Sequence, residues 1–273
     1  MMCAMRPAFL ATDLMFQRML ACALFAGVAA GLIAAVLHFA FVQKYILLGE
    51  QYETGALTHF TTGSAADDLA AETKAETKAG AAAGHDHAAT AVTDGGEVAP
   101  HDHPAAPSDW QRNAFTALFM GLVYVSYAML VVAGFGLIES MGHKIDSTKG
   151  LLWGLAGFVA FQLAPAIGLA PELPGTIAAE LGARQIWWWG TALATALAFA
   201  LLAYGPKPIA PVVALGLFAA PHIIGAPQPD AFYGVAPPEV SALFAARVLA
   251  TAMAVWAALG WIAGRLWARS AVN

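Results

Sequence analysis

Six stretches of this 273-residue chain contain no Asp, Glu, Lys or Arg: 19–43, 114–138, 151–171, 185–206, 208–229 and 248–264. A helix of about 20 apolar residues crosses a hydrocarbon layer ~30 Å thick, and the first four stretches are long enough to do so. The fifth holds Pro211, Pro221, Pro227 and Pro229, which shorten its apolar part. The sixth extends to Leu243 and Trp267 when Arg247 and Arg265 snorkel toward the interfaces. Only 11% of the residues are charged, against roughly 25% in a soluble domain, too few to coat a water-facing globule. The sequence predicts an all-α integral membrane protein of about six transmembrane helices, with five as the alternative count. Residues 1–18 form an N-terminal segment, 19–43 the first span, 44–113 a long connection and 114–273 a bundle of the other spans. A β-barrel is excluded because its strands alternate apolar and polar residues, whereas these stretches are apolar all round.

Lys and Arg in the short connections set the orientation. Arg6, Arg18, Lys144, Lys149, Lys207, Arg265 and Arg269 collect on one side, against Arg184 and Arg247 on the other. Both termini are therefore expected in the cytoplasm of a bacterial inner-membrane protein, with the long connection outside. The first apolar stretch exceeds the 7–15 residues typical of a signal-peptide core, so it reads as an uncleaved helix. Trp153, Trp187, Trp188, Trp189 and Trp267 fall near span ends and read as interfacial anchors. The net charge of −5 and the lack of a basic stripe exclude a nucleic-acid binder. Two cysteines, Cys3 and Cys22, support neither a disulfide framework nor a four-thiolate metal site.

The long connection is acidic, with eleven acidic and four basic residues over 44–113. From Thr61 to Asp109 it has no Phe, Tyr, Trp or Ile and a single Leu, Leu69. Such a segment buries too little apolar area to offset its ordering entropy and is expected to be disordered. It carries two His-Asp-His triplets, His85-Asp86-His87 and His101-Asp102-His103. Imidazole and carboxylate ligands suit Co²⁺, Ni²⁺ and Zn²⁺ alike. A flexible tether lets both triplets close on one ion at modest entropic cost. Weak capture of this kind fits collection and hand-over better than storage.

A second pattern lies in the apolar stretches. Residues 164–171, APAIGLAP, and 220–227, APHIIGAP, both fit A-P-x-I-x-x-A-P. Proline lacks a backbone donor and clashes with the preceding turn, so both helices are expected to kink or stop at Pro165 and Pro221. Paired Pro/Gly-interrupted segments point to a transporter's binding region. Gln162, Glu172, His222 and His38 lie at the same expected depth, with Glu50, Glu53, His59 and Glu239 nearby. Ionisable residues inside membranes tend to mark pathways, which makes His38, Glu172 and His222 candidate metal ligands at an entrance. Glu180 and Arg184, spaced i,i+4, are expected to pair with each other. Glu139 and His143 fall at the inner end of the second span.

Several stretches resemble the CbtA family of predicted cobalt transporter subunits: GLLWGLAGF (150–158), LAPAIGLAPELPG (163–175), ARQIWW (183–188) and PHIIGAP (221–227). A His/Asp-rich connection between the first two spans is a further likeness, and together these cover the chain from Met15 onward. Met15-Phe16-Gln17-Arg18-Met19-Leu20 resembles the family's N-terminus, which makes Met15 an alternative start. The resemblance implies a role linked to cobalamin synthesis and a small one-span partner with its own His-rich tail, CbtB. It supplies no ligand set, so the site residues above rest on chemistry and position alone.

The leading expectation is a divalent-metal (cobalt) uptake component with no cofactor of its own, Co²⁺ being the cargo. No G-x-x-x-x-G-K-[ST] motif is present, so ATP is not expected to be hydrolysed by this chain. The alternative is a non-transporting scaffold that stabilises another permease. An enzyme is disfavoured, since no span carries H-E-x-x-H or a nucleophile with a base at helical spacing.

Overall fold

A computed structural model of the chain describes residues 5–59 and 109–270, with side chains from Met15 onward. The regular elements among these are helices. α1 (Met5–Leu37) passes through a π-helical turn (His38–Val42) into α2 (Gln43–Glu53). α3 covers Asp109–Ser140. α4 (Ser147–Phe158), a second π-helical turn (Val159–Leu163) and α5 (Ala164–Gly168) form one rod. α6 (Leu181–Tyr204), α7 (Ala210–Ile224) and α8 (Pro238–Ser270) complete the bundle.

Five helical segments are long and apolar enough to cross a bilayer: Met15–Glu53, Asp109–Ser140, Ser147–Gly168, Leu181–Tyr204 and Pro238–Ser270. The expected sixth, α7, has only 15 residues, ~22 Å at 1.5 Å per residue. Among the described residues there are thus five helices long enough to span and one shorter apolar helix, because the stretch 208–229 stops being helical after Ile224. The first helix also outlasts its charge-free stretch. Residues 44–53 and 109–113, assigned by charge to the connection, are helical and tie α2 to α3. There the Gln43 Nε2 amide donates to Asn113 Oδ1 at 2.7 Å, and Arg112 pairs with Glu50 at 3.3 Å.

With lipid outside, helices gain little hydrophobic free energy by meeting each other, so close backbone approach has to hold them. Glycines provide it. Gly150 and Gly154 on α4 face Gly260 and Gly264 on α8, so that a Cβ on any of the four would run into the opposing backbone. Two G-x-x-x-G patterns therefore interlock. On α1, Gly27 and Gly31 press against the α3 backbone at Val125 and Gly121, beside the fully buried Ala26 and Ala30. Large rings fill what remains: Phe135, Trp256 and Trp267 are almost completely enclosed, and Phe161 stacks on Trp256 with centroids 5.9 Å apart.

Arg18 closes one end of the bundle. Its guanidinium donates to Glu139 Oε2 (3.0 Å), Ser270 Oγ (2.9 Å) and the Trp267 carbonyl (2.8 Å), and lies 3.9 Å from the Trp267 ring centroid. Trp267 is consequently a core residue with 0% exposure rather than the interfacial anchor its position suggests. These contacts bring α1, the end of α3 and the end of α8 to one level, so both ends of the described chain share one end of the bundle.

Candidate functional site

At the opposite end two helices stop in the same way. Pro165 opens α5 and offers no N–H, so a carbonyl one turn earlier loses its helical partner. The π-helical turn just ahead, closed by the Ala164 N–H on the Val159 carbonyl, widens the ladder and lets the rod pass the proline. Pro221 sits inside α7. Of the kink or stop expected at the two prolines, a stop on the spot does not occur: each helix runs three residues further, to Gly168 and to Ile224. Each then closes with one bond onto its proline, Leu169 N–H to the Pro165 carbonyl (2.8 Å) and Gly225 N–H to the Pro221 carbonyl (3.0 Å). Gly225 adopts φ +86°, a conformation that favours glycine.

The two ends meet across α6. The Trp187 indole N–H donates to the Pro221 carbonyl at 3.0 Å, and Gln228 Nε2 donates to the Gly168 carbonyl at 3.1 Å. Gly168 lies so close to Ala226 and the Trp187 ring that a Cβ there would overlap both. The connections beyond are joined as well: Thr176 and Gly234 form an isolated antiparallel bridge, and Ile177 N–H donates to the Tyr233 carbonyl at 3.0 Å. Two helix C-termini, each with the partial negative charge of its terminal carbonyls, thus converge on the first turns of one helix.

The candidate ligands are distributed around this junction. Glu172 follows α5 and pairs with Arg184 at 2.9 Å. The half-buried His222 stands edge-on to Trp187, with centroids 6.0 Å apart. Arg184 and Trp187 are one turn apart on α6, so Glu172 and His222 flank the same turn. His38 lies elsewhere, half-buried at the start of the π-helical turn in the first helix and edge-on to Phe39 at 5.6 Å. Among the described residues no three His, Cys, Asp or Glu side chains come close enough to share a metal ion. A cation approaching Glu172 would have to compete with the Arg184 guanidinium. The triplets His85-Asp86-His87 and His101-Asp102-His103 lie outside the described residues.

Glu180 and Arg184 do not pair with each other. Glu180 caps α6, accepting from Ala183 N–H at 2.6 Å and Gly182 N–H at 2.7 Å. Those donors, Ala183 first, hold its carboxyl below the ordinary range. Arg184 is thereby left for Glu172.

Gln162 has a larger part than its sequence position suggests. The second π-helical turn carries it, and it lines two cavities. One, of about 450 Å³, also has Glu172, Arg184 and Gln185 in its walls; the other, of about 610 Å³, has Arg112, Tyr124 and Tyr127. Sequence reading misses Trp187 as a polar contributor, because an aromatic within an apolar stretch gives no sign of which atom its indole N–H will reach.

A family model described as "Probable cobalt transporter subunit (CbtA)" matches residues 16–268. No curated protein and no solved structure matches the chain.

Proposed function

The chain belongs to the CbtA family of probable cobalt transporter subunits, and from that premise we propose that it is a component of a divalent-metal (cobalt) uptake system of the inner membrane. In this reading the two His-Asp-His triplets collect the ion outside. The paired proline-interrupted helix ends, with Glu172 and His222, form the entrance, and His38, first expected there with them, stands apart on the first helix. The observation that carries the reading is the convergence of the α5 and α7 C-termini on one turn of α6. Terminal carbonyls of interrupted helices suit a cation, and a carboxylate offsets part of the desolvation cost of a dication. The start and end of the described chain meet at the Arg18 end of the bundle, which with the Lys/Arg distribution supports cytoplasmic termini. No chemical step is assigned to the chain. The driving force comes from an ion gradient, the membrane potential or a partner, for which a small one-span His-rich protein like CbtB is the proposed candidate.

Radiocobalt uptake by cells lacking other cobalt importers tests this. His222→Ala and Glu172→Gln are expected to lower uptake severalfold, and unchanged uptake removes the entrance. Deleting residues 80–105 is expected to weaken uptake at low external metal and to spare it at saturating metal.

Two observations favour a second reading. Arg184 already neutralises Glu172, and the described residues gather no three-ligand site, as suits a scaffold that stabilises another permease. Reconstitution of the purified chain alone, then with its small partner, separates the two: a scaffold moves no ion in either case.

A further inference from the structure

Resting on the transport reading above, we propose that the cavity holding the Glu172–Arg184 pair takes the metal as a neutral chelate with two small aminocarboxylates, and not as the bare ion. The cavity, of about 450 Å³, is walled by Phe161 and Gln162 of the second π-helical turn, by Glu172, by Arg184 and Trp188 of α6, and by Leu249 of α8. An ion carrying six waters occupies about 180 Å³ at ~30 Å³ per water, so it would leave more than half of that space to further solvent. The charged groups of the wall are one cation and one anion, Arg184 and Glu172, already paired at 2.9 Å. A bare dication there faces a guanidinium and has one shared carboxylate, too little to offset the loss of its water. A complex in which two carboxylates cancel the charge of the metal matches a wall of zero net charge and avoids most of that cost.

Arg184 is equipped to hold such a complex. One of its Nη2 hydrogens goes to Glu172, and the remaining N–H donors of the guanidinium have no acceptor among the described residues. A carboxylate that chelates a metal through one oxygen keeps the other oxygen off the metal, and that oxygen accepts from a guanidinium N–H. Gln162 and Gln185, in the same wall, add amides that can donate or accept. One turn along α6 from Arg184 the wall becomes aromatic: Trp188 meets Phe161 with ring centroids 6.0 Å apart. A mostly apolar and aromatic enclosure with a few placed polar groups is the usual make-up of a site for a small organic molecule, and it suits the carbon skeleton of a chelator. The bare ion and the chelate therefore make opposite demands on Arg184: the first has to displace it from Glu172, whereas the second binds to it.

Equilibrium dialysis of the purified full-length chain in detergent tests this, with radiocobalt and tritiated picolinate (an aromatic aminocarboxylate) mixed at one metal to two chelators. The chain is expected to retain tritium only when cobalt is present. Arg184→Gln is expected to weaken that retention at least tenfold, and so is Leu249→Trp, which fills the cavity from the α8 side. A thermal midpoint close to the parent's shows that a variant has folded, and Leu249→Trp keeps the test open should Arg184→Gln not fold. Retention of picolinate without cobalt would make this a plain carboxylate site. Cobalt-dependent retention indifferent to the substitutions would place the complex elsewhere, for instance on the His-Asp-His triplets. Either result overturns the proposal, as does cobalt bound without any tritium. Vesicles that accumulate cobalt with a chain that never retains picolinate would leave the transport reading standing and remove this one. A chelate bound through Arg184 by a chain that moves no cobalt would do the reverse.

Discussion

Trp187 donates its indole N–H to the Pro221 carbonyl at 3.0 Å, and the same carbonyl takes the Gly225 N–H at 3.0 Å. One oxygen in the last turn of α7 is therefore held from its own helix and from α6, so α6 sets where α7 ends. Trp187→Phe keeps a ring and removes the donor. A neutral hydrogen bond has a net worth of about 1 kcal/mol, and a loss of that size is expected in the midpoint of a denaturing-detergent titration. An unchanged midpoint would show that the bond does not position the helix end.

Arg184 is the group that cobalt must displace if Glu172 is a ligand. Arg184→Gln frees the carboxylate and is expected to lower the half-saturating cobalt concentration, while Glu172→Gln raises it. The double variant should resemble Glu172→Gln. Uptake titrations in which the two single variants move the same way would contradict a ligand role for Glu172.

The interlocked glycines predict a graded loss of stability. A Cβ at Gly154 would overlap the Trp256 carbonyl, and one at Gly260 would overlap the Gly150 carbonyl. Ala at either position is expected to cost about 1–3 kcal/mol, and Leu more. Gly190 and Gly216 have nothing within 4 Å of where a Cβ would sit, so Ala there should leave the thermal midpoint in detergent within a degree or two. Equal effects at all four positions would argue against the close α4–α8 contact.

Glu180 gives the start of α6 an acid dependence of known sign. Backbone donors from Ala183 and Gly182 lower its pKa in the folded state. Its contribution is therefore complete above the ordinary carboxylate value and fades as pH falls through the lowered one. Stability followed from about pH 6 to about pH 3 should fall less steeply in Glu180→Gln than in the parent. Parallel profiles would show that the cap contributes nothing.

The spans are legible because removing charge from a long stretch leaves the bilayer as the natural solvent: 114–138 lies within α3, and 185–206 runs only two residues past the end of α6. α7 is harder to read. The stretch 208–229 looks long enough, but Gly225, Pro227 and Pro229 cannot continue a helix, so length without charge overstates it. The A-P-x-I-x-x-A-P echo is legible and meaningful: both copies end their helices three residues after the proline. Its partner across the gap, Trp187, is not legible, since only the tertiary fold brings an indole to a carbonyl 34 residues away. The expected Glu180–Arg184 pair fails because helix capping and an acid from another segment outcompete i,i+4 spacing. The two G-x-x-x-G patterns at 150/154 and 260/264 stand in the sequence in plain view, but that they face each other depends on which helices are neighbours. The His-Asp-His triplets lie outside the described residues, so their part in the account rests on chemistry and on the loop-deletion experiment.

Radiolabelled Co²⁺ accumulation by proteoliposomes holding the intact chain with its small partner tests the central claim most directly. The account predicts saturable accumulation under an imposed potential, severalfold weaker with Glu172→Gln or His222→Ala. No accumulation by a correctly folded assembly, or accumulation indifferent to both substitutions, would contradict it.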